Sequence, residues 1–381
     1  MIKNEMPSPN NTSDRNLLGK SADELRTLME TLGERSYRGA QIYHALYAER
    51  KGEFARMTNL PEALRDRLAR EVTLALPQIR RRHVSADGTV RYVLALDSAG
   101  ETGAATIETV FMPEENRQTI CISTQAGCAV DCHFCLTATL GLIRNLSAAE
   151  IIGQVLVALA DHASERKPQT NVVLMGQGEP LLNYDAVMAA VRILLDPNGM
   201  AISPKHVTLS TSGILPGIQK LACEKVRPKL AVSLNASSNE ERDQIMPINR
   251  KYPIEALLEA CRCYPLRPWE RLTFEYVLLG GFNDSPEAAR RLVKLLANLK
   301  CKVNLIPWNP GDLLPYDEPN AERIEAFRKI LTDKGMLAFV RYSRGQDVMA
   351  ACGQLALLES GGAAAAAGLA HISPAVSHEP R

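Results

Sequence analysis

The 381-residue chain reads as an α/β protein, a partial (β/α)6 barrel behind a small helical N-terminal domain. Three observations predict this class. Short β-rich segments recur at 120–123, 171–175, 206–210, 230–234, 272–278 and 302–306. Helical periodicity fills gaps between them, at 148–160, 185–195 and 286–299, as expected for a parallel sheet built from βα units. The first 75 residues show helical periodicity only.

Composition bounds the rest. With 46% hydrophobic and 23% charged residues the chain can bury a core, which excludes wholesale disorder. Forty-four basic against 43 acidic residues leave a net charge of +1, which excludes a cationic coat protein but not a local basic face. No apolar run approaches the roughly 18 residues needed to span a bilayer. The start, MIKNEMPSPNNTSDRN, has no apolar h-region. Nine cysteines, an odd count without a leader, point to reduced thiols with metal or redox roles in the cytoplasm.

In chain order, a polar leader runs to about residue 20. Ser21 and Glu24 form a capping box ahead of the stripe Leu25, Leu28, Met29 and Leu32, which Gly33 ends. A second helix is expected over 36–50, with Ile42, Tyr43, Leu46 and Tyr47 apolar, and a third from Pro61 with Leu64, Leu68 and Val72. Residues 91–96 and 105–111 read as two strands around a turn at 97–103. These patterns divide the chain into a helical accessory region (1–95), a strand-rich connector (96–117), a barrel with a C-terminal segment (118–355) and a disordered tail (356–381), whose GGAAAAAGLA offers little surface to bury.

The strongest chemical signal is Cys128, Cys132 and Cys135, a C-x3-C-x2-C loop after a predicted strand. Three thiolates suit an iron–sulfur cluster with one open iron, or a zinc that finds a fourth ligand. His133, flanked by two ligands, is poorly placed to be that fourth. Polar residues also stand where other predicted strands stop: Gly176-Gln-Gly178-Glu179-Pro, Thr208-Leu-Ser210-Thr-Ser-Gly, Ser233-Leu234-Asn235 and Trp308-Asn309. In βα barrels such ends form the active face. The glycines of GQGEP would let backbone approach a ligand, and Glu179 could accept from an ammonium group.

C-x3-C-x2-C with Phe134 before the last cysteine resembles the signature of radical S-adenosylmethionine enzymes. That resemblance implies a [4Fe–4S] cluster whose open iron chelates S-adenosylmethionine, and cleavage of the sulfonium to a 5′-deoxyadenosyl radical. The resemblance narrows further. The cluster loop, GxGEP, TLSTSG, VSLNAS, NLIPWNP and RGQDVMAACGQL (344–355) occur in the order seen in RlmN-type 23S rRNA/tRNA adenine C2-methyltransferases, over about residues 20–355. It implies that Cys128, Cys132 and Cys135 hold the cluster. Gly178, Glu179, Ser210, Ser233, Leu234, Asn235 and Asn309 would contact S-adenosylmethionine, Cys352 would carry the methyl group and Cys121 would be its disulfide partner. Glu108 matches the family's proton acceptor. Two positions depart: Gln177 stands where the family reads Met, and Asn235 where His is common.

The chemistry explains the residue types. Adenine C2 is not a nucleophile, so a methyl cation has no partner there, whereas a carbon radical can add. The resemblance implies methylation of Cys352, hydrogen abstraction from that methyl group, addition to C2, and attack of Cys121 on the Cys352 sulfur. Taken alone, Val348, Cys352 and Leu355 fall at helical spacing, so Cys352 reads equally as a core thiol, Cys121 as strand packing and Glu108 as a structural glutamate on a strand. RNA contact has one local hint: residues 1–95 carry 16 basic and 12 acidic residues, densest at Arg80-Arg81-Arg82-His83. The implied partners are 23S rRNA, tRNA and an electron-donor reductant, with no membrane and no stable protein partner. Two other readings stay open, a Cfr-type adenine C8 methyltransferase and a non-catalytic RNA-binding protein with structural zinc.

Overall fold

The computed structural model describes residues 15–96, 104–309 and 314–355; the expected turn at 97–103 and the tail lie outside them. Three helices open the chain: α1 (Ala22–Thr31), α2 (Tyr37–Tyr47) and α3 (Glu62–Glu71). The capping box forms, the Ser21 hydroxyl accepting from Glu24 N while the Glu24 carboxylate accepts from Ser21 N. Leu25, Met29, Ile42, Leu46, Leu64 and Leu68 point inward as the periodicity requires. At Gly39 a Cβ would stand 2.4 Å from Arg26 N, so α1 and α2 cross backbone to backbone.

One ten-stranded sheet carries the remainder, in the order β1-β2-β3-β4-β7-β8-β9-β10-β11-β12. An antiparallel wing, β1 (Gln78–Val84), β2 (Val90–Leu96) and β3 (Ala105–Pro113), joins β4 (Arg117–Cys121). From β4 onward the strands run parallel: β7 (Gln169–Leu174), β8 (Val207–Thr211), β9 (Lys229–Ser233), β10 (Leu272–Leu278), β11 (Cys301–Pro307) and β12 (Ala338–Val340). Helices α4 (Ala148–Asp161), α5 (Tyr184–Leu195), α6 (Leu215–Ala222), α7 (Asn239–Ile245), α8 (Ile254–Arg262), α9 (Pro286–Leu296) and α10 (Ala321–Asp333) follow in turn. The six expected strands are present in sequential order, giving the partial (β/α)6 barrel.

Two boundaries differ from expectation. The helical region ends at Glu71, because β1 and β2 belong to the main sheet; the division at residue 95 cuts through that wing, and β3 sits within the sheet, not in a connector. The QIRRRHV run of β1 hid this. As an edge strand it is largely solvated and needs no apolar alternation. The three-residue β12 is too short to show a period at all.

Alternation along each parallel strand sorts chemistry from packing. Ile120, Val172, Leu174, Val207, Leu209, Leu230, Val232, Phe274, Tyr276, Val303 and Leu305 pack in one continuous core that also holds the accessory helices. Their neighbours Cys121, Ser210, Ser233, Glu275 and Ile306 fall on the opposite, concave face. Tyr43 of α2 donates to Asp196 at the end of α5 (2.9 Å), and Tyr47 accepts from Gly19 N (2.8 Å), which seats the accessory helices on the barrel.

Candidate active site

The cysteine loop follows a short hairpin strand, β5 (Gln125–Gly127), which pairs with β6 (Leu142–Asn145). Gly127 has φ +73°, and a Cβ there would lie 1.8 Å from Gly141 O; only glycine can start this loop. Cys128 N donates back to Gly141 O (2.9 Å), Asp131 bends the chain at φ +58°, and Cys135 N closes a turn on Cys132 O (3.0 Å). His133 N donates to Ile245 O of α7 (3.0 Å). All three thiols thereby line one cavity at the C-terminal ends of the strands. Burial pushes the Cys128 thiol up to about 12, with Cys135 adding to it, and raises Cys132 well above its ordinary value, with Cys135 and Cys128 contributing. Three thiols that oppose one another's ionisation need a bound cation to become thiolates. Among the described residues no three His, Cys, Asp or Glu side chains stand close enough to share one ion. Three cysteines are a donor set that suits a cluster by their chemistry, and His133 is not part of the cavity wall.

The facing wall is polar. Glu275, centred on β10, takes the Ser210 hydroxyl (2.6 Å) and the Ser233 hydroxyl (3.3 Å) on one carboxylate oxygen. Burial raises its pKa. Glu179 is buried and accepts from Ser212 N (2.7 Å), the Ser212 hydroxyl (2.8 Å) and Leu181 N (3.0 Å), tying the β7 end to the β8 end. Burial raises its pKa also, against those hydrogen bonds. Asn235 occupies the left-handed region (φ +58°) and its side chain accepts from Val277 N (2.9 Å). Asparagine tolerates that backbone readily, so this departure preserves the turn. Gly178, Glu179, Ser210, Ser233, Asn235 and Asn309 all line the cavity. Leu234 does not: its side chain is in the helix-side core, leaving only its backbone on the turn. The glycines of GQGEP also answer to the fold. A Cβ on Gly178 (φ +97°) would fall 2.5 Å from the Gln125 side chain, and one on Gly176 2.7 Å from Ser123 Oγ. The neighbouring chain by itself leaves no room for a side chain at either position, and both glycines line the cavity.

The segment bearing Cys352 is clamped residue by residue. Arg344 donates to Pro113 O (2.6 Å) and pairs with Asp87 (3.3 Å); Gly345 N donates to the same carboxylate (3.2 Å). Gln346 donates to Asn309 (2.7 Å), and Asp347 accepts from Ser85 Oγ (2.6 Å) and Ala86 N (3.1 Å). Farther on, Leu136 N donates to Gly353 O (2.7 Å) and Thr137 Oγ1 to Leu355 O (2.7 Å). The RGQD residues thus fasten the segment to the 85–89 turn, to Pro113 and to Asn309, and Cys352 reaches the cavity wall that carries Cys128, Cys132 and Cys135. It is a turn residue open to the cavity, not a helical core thiol. Enclosure on its other sides pushes its thiol up to about 11, with Glu275 and Cys135 adding to the effect.

Cys121 ends β4 on the concave face and packs with Val110, Ala350 and Leu355. Burial raises its thiol, and Cys352 is the next contributor, so the two sulfurs sense each other. Glu108 is fully buried on β3 and forms an ion pair with Arg91 of β2; it is not among the cavity-lining residues. Gln177 explains its own substitution. Its amide accepts from Glu108 N (3.2 Å) and donates to Leu355 O (3.4 Å), joining β3 to the clamped segment.

Four features escaped the sequence reading. Glu275 stood in an apolar run, LTFEYVL, and a charge amid strand residues was its one signal. Arg242 of α7 is fully buried and donates to Ser212 O (2.6 Å), Leu234 O (3.0 Å), Ser233 O (3.1 Å) and Asn249 Oδ1 (3.1 Å), fastening two strand ends. Trp308 Nε1 donates to Phe134 O (3.1 Å) in the cluster loop. The 85–89 turn, left inside the helical accessory region by the sequence reading, receives the RGQD clamp.

Residues 122–293 match the radical SAM superfamily and residues 15–74 the ribosomal RNA large subunit methyltransferase N-terminal domain. The chain is 47% identical over 344 residues to a probable dual-specificity RNA methyltransferase RlmN of Koribacter versatilis, covering 86% of this chain and 97% of that one. It is 46% identical over 358 residues to the dual-specificity RNA methyltransferase RlmN of Paracoccus denitrificans, 90% of each. A radical SAM methyltransferase structure from Sphaerobacter thermophilus superposes with a TM-score of 0.83 at 43% identity, covering 89% of this chain and 98% of that one. On these likenesses the chain belongs to the RlmN family of radical S-adenosylmethionine RNA methyltransferases, which use a [4Fe–4S] cluster and S-adenosylmethionine.

Proposed function

We propose that this protein methylates C2 of loop adenosines in 23S rRNA and tRNA, using Cys352 as methyl carrier and Cys121 as its resolving thiol. The observation that carries the reading is the clamp, which presents Cys352 in the cavity lined by Cys128, Cys132 and Cys135, with Cys121 packed against the same segment. The cluster and S-adenosylmethionine, when bound, supply methyl groups and a hydrogen-abstracting radical. Cys352 loses its thiol proton on methylation and carries that carbon to C2. Cys121, having lost its proton, then supplies an electron pair to the Cys352 sulfur; the sulfur–carbon bond breaks with its electrons leaving on carbon, which takes up a proton to become the methyl group, and a Cys121–Cys352 disulfide remains. An external two-electron donor restores both thiols. Glu108 is the proposed proton acceptor, its carboxylate oriented by Arg91.

Unstacking the target adenosine costs least in a loop, which supports hairpin loops as substrates. The basic run Arg80–Arg82 lies on the exposed edge strand β1, where Arg82 pairs with Asp161 (2.6 Å); Arg80 is a proposed RNA contact. Among the described residues no helix is long and apolar enough to cross a membrane; a cytoplasmic location is part of this proposal. The test is anaerobic turnover of the cluster-loaded protein with S-adenosylmethionine, a reductant and unmodified RNA, followed by nucleoside mass spectrometry. 2-Methyladenosine is expected. 8-Methyladenosine would overturn the C2 assignment, and no methylated adenosine would overturn the proposal for these RNAs.

A further inference from the structure

Beyond the polar wall, the concave face of the barrel carries cations that make no direct ion pair among the described residues. Alternation from Ser233 puts Lys229 on that face, and alternation from Ile306 puts Lys302 there. The register pairs Lys229 with Thr208 and Lys302 with Thr273, and sets Phe339 beside Asn304. Arg341 follows β12, donates its N–H to Leu305 O (2.7 Å), and leans its guanidinium onto Asn304 (3.2 Å) and over the Phe339 ring (5.3 Å). Lys302 therefore stands about 7 Å, one strand alternation, below Glu275, and the three cations climb obliquely from β9 to the open β12 edge.

Among the described residues neither lysine makes an ion pair or a hydrogen bond. The carboxylates in electrostatic range are already engaged, Glu275 by two serines and Glu270 by Arg227 and Arg267. Burial lowers the pKa of both lysines; Lys302 adds to the effect on Lys229, and Arg341 to that on Lys302. Beside the cations, Phe339 is 42% and Tyr342 67% exposed on the edge that leads through Ser343 to the cavity residue Asn309. Two half-buried lysines and an exposed arginine, flanked by exposed rings, have the composition of a single-stranded nucleic-acid track.

We propose that Lys229, Lys302 and Arg341, with Phe339 and Tyr342, form the surface that holds the RNA strand flanking the target adenosine, phosphates on the cations and a neighbouring base on a ring. This rests on the RNA reading above. The test is fluorescence anisotropy of the cluster-loaded protein with a labelled RNA hairpin across a salt series. A Lys302→Gln/Arg341→Gln variant should bind about tenfold more weakly at 0.1 M salt, and the slope of log K against log salt should fall by about 1.4, two single-strand phosphate contacts. Lys302→Arg/Arg341→Lys should restore both, and S-adenosylmethionine affinity should not move. Unchanged affinity and slope in the Gln variant, with wild type binding RNA, would overturn this surface alone. Failure of wild type to bind any hairpin would overturn the RNA reading itself.

Discussion

At the scale of single residues, the roles proposed for Cys352 and Cys121 are separable by experiment. Replacing Cys352 by Ala should abolish methylated product while four irons per chain are retained, read by metal and sulfide analysis beside nucleoside mass spectrometry. Cys121→Ala should stall one step later, because nothing attacks the Cys352 sulfur; RNA should stay covalently attached and migrate with the protein on denaturing gels. Release of free product by Cys121→Ala would exclude it as the resolving thiol. Cys132→Ala should lose the cluster, since two of the three thiols cannot close the site. These residue types were legible in the sequence because spacing is local. Glu275 and Arg242 were not, because their partners Ser210, Ser233 and Ser212 come from other strands.

At the scale of elements, the RGQD clamp makes the position of Cys352 depend on the 85–89 turn. Asp87→Ala removes the acceptor of both Arg344 and Gly345. It should reduce turnover severalfold with little change in melting temperature, since an exposed pair is worth only about 0–1 kcal/mol. Unchanged turnover would show that the clamp does not position the cysteine. Burial tends to raise the Asp87 carboxyl, but hydrogen bonds from Thr89, Ser85 and Gly345 outweigh it and hold the pKa below the ordinary carboxylate value. A depressed carboxyl contributes stability above its unfolded pKa and loses it as pH falls through the folded one. The clamp should thus survive mild acid, and Cys352-segment protection in hydrogen exchange should be flat from pH 7 to pH 5. A steep loss of protection there would contradict this sign. The motif announced that these twelve residues matter, but in isolation gave no partner for any of them.

At the scale of the whole molecule, accessory helices and barrel share one core, so they should unfold together. Leu46→Ala, deep in α2, should cost about 2–5 kcal/mol and lower a single calorimetric transition. Two separated transitions would show that the N-terminal helices are an independent domain. Long strands and amphipathic helices were readable because burial on one side imposes a period. The edge strand β1 and the three-residue β12 were not: one is too solvated to alternate and the other too short.

The sequence alone determined the class of fold and singled out the three-cysteine loop and the Cys121 and Cys352 thiols, because periodicity, ligand spacing and motif order are properties of neighbours along the chain. Tertiary structure decided which strand-end residues face the cavity, that Leu234 turns away from it, that the GQGEP glycines answer to Gln125 and Ser123, and where Cys352 is held. Those outcomes depend on contacts between segments up to about 260 residues apart, as in the Ala86–Asp347 bond (|i−j| = 261). Hydrogen bonds and packing across such distances exist only once the sheet has closed.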